Sequence, residues 1–264
     1  MSDHSLEKMK TKLSEDGIAQ YWFNTPTNQT HLNPLLGRAI RLEFSGLIHC
    51  THCGKRTKTS FSQGYCYPCS QKLAQCDICI VKPELCHFAK GTCREPEWAE
   101  KHCRIEHAIY ISNTSALKVG ITRRHQIIHR WIDQGATQGL EIAVAPERLV
   151  AGRAEVALAK EIGDKTNWRK MLSGNQENLD LESIRSNLLQ QIPHDLTVQH
   201  QQSKPVTIRY PVMEFPTKIT SLNAEKTPTI SGRLLGIKAQ YLILDCGVIN
   251  LRKYTGYDVQ LGVI

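Results

Sequence analysis

No run of 18 apolar residues occurs anywhere in the chain, and its opening MSDHSLEKMKTKLSEDG holds no apolar core of the kind a secretory leader carries. The expectation is a soluble, cytoplasmic protein with no membrane partner. No His-Glu-x-x-His run and no histidine, aspartate and serine arrangement is visible, so zinc-peptidase and serine-hydrolase readings find no foothold. From Cys50 to about His107 there is also little periodicity and little apolar mass. Folding there must lean on something other than a hydrophobic core.

Cysteine fills that gap, with nine of the ten lying between Cys50 and Cys103. In a reducing cytosol such crowding argues for metal thiolates over disulfides. Cys50-x2-Cys53 and Cys66-x2-Cys69 are two knuckles separated by twelve residues. Two such turns supply four thiolates, which close a tetrahedral shell around one Zn2+ and leave no open position for catalysis. Cys76, Cys79, Cys86, Cys93 and Cys103 follow, and five thiols exceed the four places of a second zinc site. Cys76, Cys79 and Cys93 are the expected members, with Cys86 ahead of Cys103 for the fourth place. An iron-sulfur cluster would also take four thiolates, but the close cysteine triplets of bacterial ferredoxins are missing. Cys246, alone in an apolar strand, reads as a small buried hydrophobe.

A formal charge of +8 favours a polyanionic partner, DNA or RNA. Lys55, Arg56 and Lys58 lie between the first knuckles, where a metal-fixed loop would grip phosphates or form an ordinary solvated turn. At 264 residues the chain should hold two or three units. Residues 1–49 read as a β-containing lead-in with a strand at Ala39–Phe44, 50–107 as the zinc-binding region and 108–192 as an α/β module. Residues 193–204 read as a polar linker, and 205–264 as a small antiparallel barrel, which the lead-in strand would complete.

Within the α/β module, Ile109–Ile111 and Leu117–Val119 predict a hairpin. Helices follow over Arg123–Gln134, with Gly135 ending it, over Glu147–Ile162 and over Glu177–Ile192. Arg130 and Glu155 fall at the edges of their apolar faces.

The stretch IYISNTSALKVGITRRHQIIHRW resembles the GIY-YIG endonuclease superfamily, with Ala108-Ile109-Tyr110 and Lys118-Val119-Gly120 as its two motifs and Arg130 ten residues on. That resemblance implies an active site of Tyr110, Lys118, Arg130, Glu155 and Asn167, with Mg2+ or Mn2+ on the glutamate. Ala108 replaces a glycine and Lys118 stands where many members have a second tyrosine. Arg123 and Arg124 would add phosphate contacts. Through its cysteine pairs and the runs CREPEW, KVGITR, RWIDQGA and DKTNWRKML, the chain also resembles the uncharacterised bacterial domain-of-unknown-function family 2797.

These readings combine into an α+β protein with a zinc-binding Cys-rich N-terminal region, a central GIY-YIG-like sheet with helices and a C-terminal small antiparallel β unit. The function expected is nucleic-acid binding with a possible divalent-metal-dependent endonuclease site. The alternatives are a non-catalytic binder of nucleic acid or nucleotides, and a zinc-stabilised protein adaptor.

Overall fold

The computed structural model describes residues 4–163 and 165–264. The chain gathers into two compact units: one takes it through Gln71, Leu172–Gly174 and Arg209–Ile264, the other holds Lys72–Met171 and Asn175–Ile208. The two groups of cysteines therefore belong to different units.

The first unit is built on the strand Ala39–His49, whose Ile40, Leu42 and Phe44 are buried while the residues between them face water. That period of two is what a sheet with one covered face requires. The strand lies between Thr229–Lys238 and Tyr257–Val263, both antiparallel to it, and Leu42 is paired with Ile230 on one side and Leu261 on the other. Tyr241–Leu244 and Gly247–Asn250 extend the sheet. The lead-in strand and the C-terminal strands thus share one sheet. Lys10–Leu13, Ala19–Asn24 and Gln29–His31 make a separate antiparallel sheet. Cys246 is exposed, not buried, because it sits in the tight turn joining two of these strands, with its thiol 3.5 Å from the Ser231 carbonyl oxygen.

The second unit centres on the strand His107–Asn113, buried at all seven positions. It runs between Leu117–Arg123 and Gln138–Ala145, both antiparallel to it. One face carries Ile109, Ile111, Val119 and Ile121 into a core closed by Ala151, Ala154 and Leu158 of the helix Arg148–Leu158 and by Leu181 and Leu188 of the helix Leu181–Leu189. Tyr110, one step out of phase with Ile109 and Ile111, points away from that core, as alternation along a strand demands.

The hairpin forms as expected and is longer than the sequence pattern marks. The first helix begins at Ile127 because Arg123 is still paired in the sheet with His107 and Arg124–Gln126 make a 3-10 turn. It ends at Gly135, whose left-handed φ of 73° caps it. The other helices are shorter than expected, at Arg148–Leu158 and Leu181–Leu189. In the expected linker, Gln199 and His200 pair with Val144 and Ala143, which satisfies the edge of the strand Gln138–Ala145. Val206–Thr207 pairs with Gly139 and Gln138 in this second sheet, not in the C-terminal unit. Among the described residues no helix is long and apolar enough to cross a membrane.

Candidate functional site

The first cysteine group folds as two tight turns. Cys50 directly follows the long strand, its carbonyl accepts from Gly54 N–H at 2.8 Å, and Gly54 closes the knuckle at φ 72°. Cys66 and Cys69 flank the start of the helix Tyr67–Lys72. The four sulfurs lie within 4.8 Å of one another, with Cys53 and Cys66 3.8 Å apart. A tetrahedron with Zn–S of about 2.3 Å has edges of about 3.8 Å, so the donor set matches a closed zinc centre in chemistry and in size. Burial pushes the Cys50 thiol up, but backbone N–H groups of Cys53, Cys66 and His52 outweigh it and bring it down to about 6. Burial and the neighbouring sulfurs push Cys69 up. A bound metal ion would hold all four as thiolates. Lys55, Arg56 and Lys58 are exposed on the loop between the knuckles.

The second group is organised differently. Cys76 ends the 3-10 turn Ala74–Cys76, and Cys79 sits inside the next, Ile78–Ile80. Between them Asp77 is extended, with ψ 153°, and accepts the Cys79 N–H at 3.1 Å. Cys79, Cys86, Cys93 and Cys103 line one cavity of about 20 Å³, and Cys76 is not among its lining residues. Cys86 and Cys103, ranked against each other from spacing, both line it.

The residues of the two strand motifs meet across the hairpin. Tyr110 is paired with Gly120, and its ring lies so close over that glycine that a Cβ there would meet Cζ and Oη at 2.5 Å. The ring edge faces Trp131, with centroids 6.0 Å apart. Gln134 stands one helical turn beyond Arg130, on the same face. Its carboxamide oxygen accepts from Arg130 Nε at 2.9 Å and Nη2 at 3.1 Å, while its nitrogen donates to Tyr110 Oη at 3.0 Å. Burial raises the pKa of Tyr110, whose side chain has no solvent exposure. Arg130 is exposed as a residue, yet loss of water around its guanidinium opposes its charge; Tyr110, Asp133 and Glu155 more than offset this and raise its pKa. The Glu155 carboxylate acts on both Tyr110 and Arg130, so phenol, guanidinium and carboxylate form one electrostatic group. Gln134 was not marked by the sequence reading, although its spacing from Arg130 was there to be used.

The remaining candidates fare differently. Lys118 is buried, paired across the hairpin with Ser112. Asn167 caps the helix Trp168–Leu172: its side-chain oxygen accepts the N–H groups of Arg169 and Lys170, each at 3.1 Å, and its own N–H donates to Ser115 Oγ at 2.8 Å. Its carboxamide oxygen is thus committed to helix structure. Arg124 is ion-paired with Glu106 at 3.1 Å and Glu141 at 3.2 Å, which neutralises it as a phosphate contact. Arg123 is half-buried near Arg148 and Cys103, and burial lowers its pKa.

Residues 37–259 match the model of a family described as "Protein of unknown function (DUF2797)". No curated protein and no solved structure matches the chain.

Proposed function

We propose, for a chain that belongs to this DUF2797 family, that it is a nucleic-acid-binding zinc protein whose Tyr110, Arg130 and Glu155 form a GIY-YIG-like site for metal-dependent phosphodiester hydrolysis. The observation that carries this is the electrostatic group itself: Tyr110, fixed over Gly120, and Arg130 share Gln134, and both respond to the charge of Glu155. Glu155 is half-buried on a helix flank, and one carboxylate plus substrate phosphate oxygens is a usual way for a protein to hold Mg2+. Bound there, the cation would supply Lewis-acid polarisation of a phosphoryl oxygen. Arg130 offers its remaining donors to the charge that develops on the phosphoryl group. Gln134 and Tyr110 position that guanidinium. The phenol is fully buried, so its part in this reading is to hold the guanidinium and not to meet an attacking water. Lys55, Arg56 and Lys58 give exposed cations for sequence-independent phosphate contact. Cytoplasmic localisation belongs to the same proposal.

The test is cleavage and binding of mixed single- and double-stranded DNA and RNA with Mg2+ or Mn2+. Glu155→Gln should cut at least about 10²-fold more slowly while still binding, and Arg130→Lys should show a similar loss through its missing fork. The burial of Tyr110 favours a second reading, a binder without cleavage. Wild type and Glu155→Gln would then bind alike and neither would cut. Failure to bind either polymer would sink both readings.

A further inference from the structure

We propose that the loop between the first two cysteine knuckles and the turn Leu251–Tyr254 together bind single-stranded nucleic acid, with phosphate held between them and unpaired bases stacked on Phe61 and Tyr67. This rests on the nucleic-acid reading above and names the strand form and the surface that takes it. All the residues concerned belong to the first unit.

Sheet register brings the two segments together. Ile48, near the end of the long strand, is paired with Thr57 of the loop on one side and with Tyr257 on the other. Two strand spacings make about 10 Å, so the loop and the residues around Tyr257 share one surface. His49 N–H donates to the Gly256 carbonyl at 2.7 Å and Thr51 N–H to the Gly64 carbonyl at 2.8 Å, which fastens turn and loop to the same stretch of chain. Between them lies a cleft of about 340 Å³, lined by Ser60 and Gln63 of the loop and by Asn250, Arg252, Lys253 and Tyr257. That volume falls in the range of small-ligand pockets, about 300–1,000 Å³, and gives room for one nucleotide.

The charges in the cleft suit a phosphate. Arg252 Nε donates to Gln63 Oε1 at 2.6 Å, which fixes the plane of a guanidinium whose fork of donors matches phosphate oxygens. Gln63 reaches it from strained backbone: Ser62 and Gln63 stand side by side at φ 45° and 63°, left-handed values that non-glycine residues adopt at a cost. Ligand clamps are among the places where such strain is kept. The Glu225 carboxylate also lines the cleft, but it accepts from Tyr257 Oη at 2.7 Å, and Arg252 and Lys253 outweigh its charge. Outside the cleft Lys55, Arg56 and Lys58 are exposed. Unlike Arg124, neither they nor Lys253 has an ion-pair partner among the described residues.

The loop tip adds what phosphate contact alone does not require. Phe61 and Tyr67 are 37% and 59% exposed, and their rings meet edge to face with centroids 5.5 Å apart. Phe61 and Tyr65 exchange backbone hydrogen bonds at 2.8 and 2.9 Å, so the tip is a closed turn. Exposed rings on a fixed turn among cations make a stacking platform for bases, and only unpaired bases offer their faces to it.

The test is fluorescence anisotropy of the full-length protein, without added Mg2+ or Mn2+, against labelled single strands of DNA and RNA and the matching duplexes. Single strands should bind at least about 10-fold tighter than duplexes. Phe61→Ala and Tyr67→Ala should each weaken single-strand binding about 10-fold, and Tyr67→Phe, which keeps the ring, should bind as wild type does. Lys253→Gln should reduce the slope of log affinity against log salt by about 0.7. Should a ring variant fail to fold, the strand preference of wild type and the Lys253→Gln slope decide. Duplexes bound as tightly as single strands, folded ring variants with wild-type affinity, or an unchanged salt slope would overturn this proposal and leave nucleic-acid binding in place. No binding to any of these polymers would overturn both.

Discussion

Replacing Gly120 by alanine would drive a methyl group into the ring of Tyr110. The added carbon would lie 2.5 Å from Cζ and Oη and 2.9 Å from Cε2, where ordinary carbon contacts are about 3.5–4.0 Å. Relief needs a shift of about 1 Å, and the ring cannot give it freely. Its edge is against Trp131, and its hydroxyl is 3.0 Å from the Gln134 carboxamide. Overpacking of this kind costs about 1–3 kcal/mol, and stretching the buried hydrogen bond adds about 1 kcal/mol. The expected destabilisation is about 2–4 kcal/mol, read by urea unfolding. Arg130 would lose its alignment through Gln134, so cleavage should fall more than nucleic-acid affinity. The double variant Tyr110→Phe/Gly120→Ala should be less destabilised than the sum of the two single changes, because one of the clashing atoms is gone. Additive effects, or a Gly120→Ala protein within about 0.5 kcal/mol of wild type, would refute the packing from which the site is argued.

Other expectations follow from single contacts. Cys66→Ser, or a strong chelator, should remove zinc from the Cys50, Cys53, Cys66 and Cys69 centre and unfold its loop, since such ions contribute on the order of 10 kcal/mol to small zinc folds; a chelated protein with unchanged circular dichroism would count against this. Asn167→Ala should cost about 1 kcal/mol through the lost helix cap and leave cleavage per folded molecule unchanged, whereas a large loss of activity at intact stability would return Asn167 to the reacting site. His107 is buried, and burial lowers its pKa from 6.5 to about 4, so the unfolded chain binds more protons between those values. Stability linked to this group is fully present above about pH 6.5 and is lost as pH falls through about 4, by about 3 kcal/mol in all. His107→Asn should flatten that acid-side slope, and an unchanged pH dependence of unfolding would show the slope arises elsewhere.

Short-range chemistry made part of this protein legible in its sequence. Two Cys-x2-Cys turns define the first metal centre because each knuckle brings its own two sulfurs together, whatever the rest of the chain does. Alternation along Ala39–Phe44 and the apolar stripe of Ile127–Gln134 marked a strand and a helix because burial on one face leaves a local period. The tertiary structure decided the rest. That Cys79, Cys86, Cys93 and Cys103 line one cavity depends on a run of short turns that spacing does not encode. Arg124 looked like a phosphate contact until Glu106 and Glu141, from other elements, came within ion-pair reach. Val206–Thr207 looked like a barrel strand, but strand partners are chosen by open edges in three dimensions. The order Tyr110, Gly120, Arg130, Glu155 is written along the chain. That Tyr110 lies buried over Gly120, with Gln134 joining it to Arg130, is a product of packing between residues up to 24 positions apart.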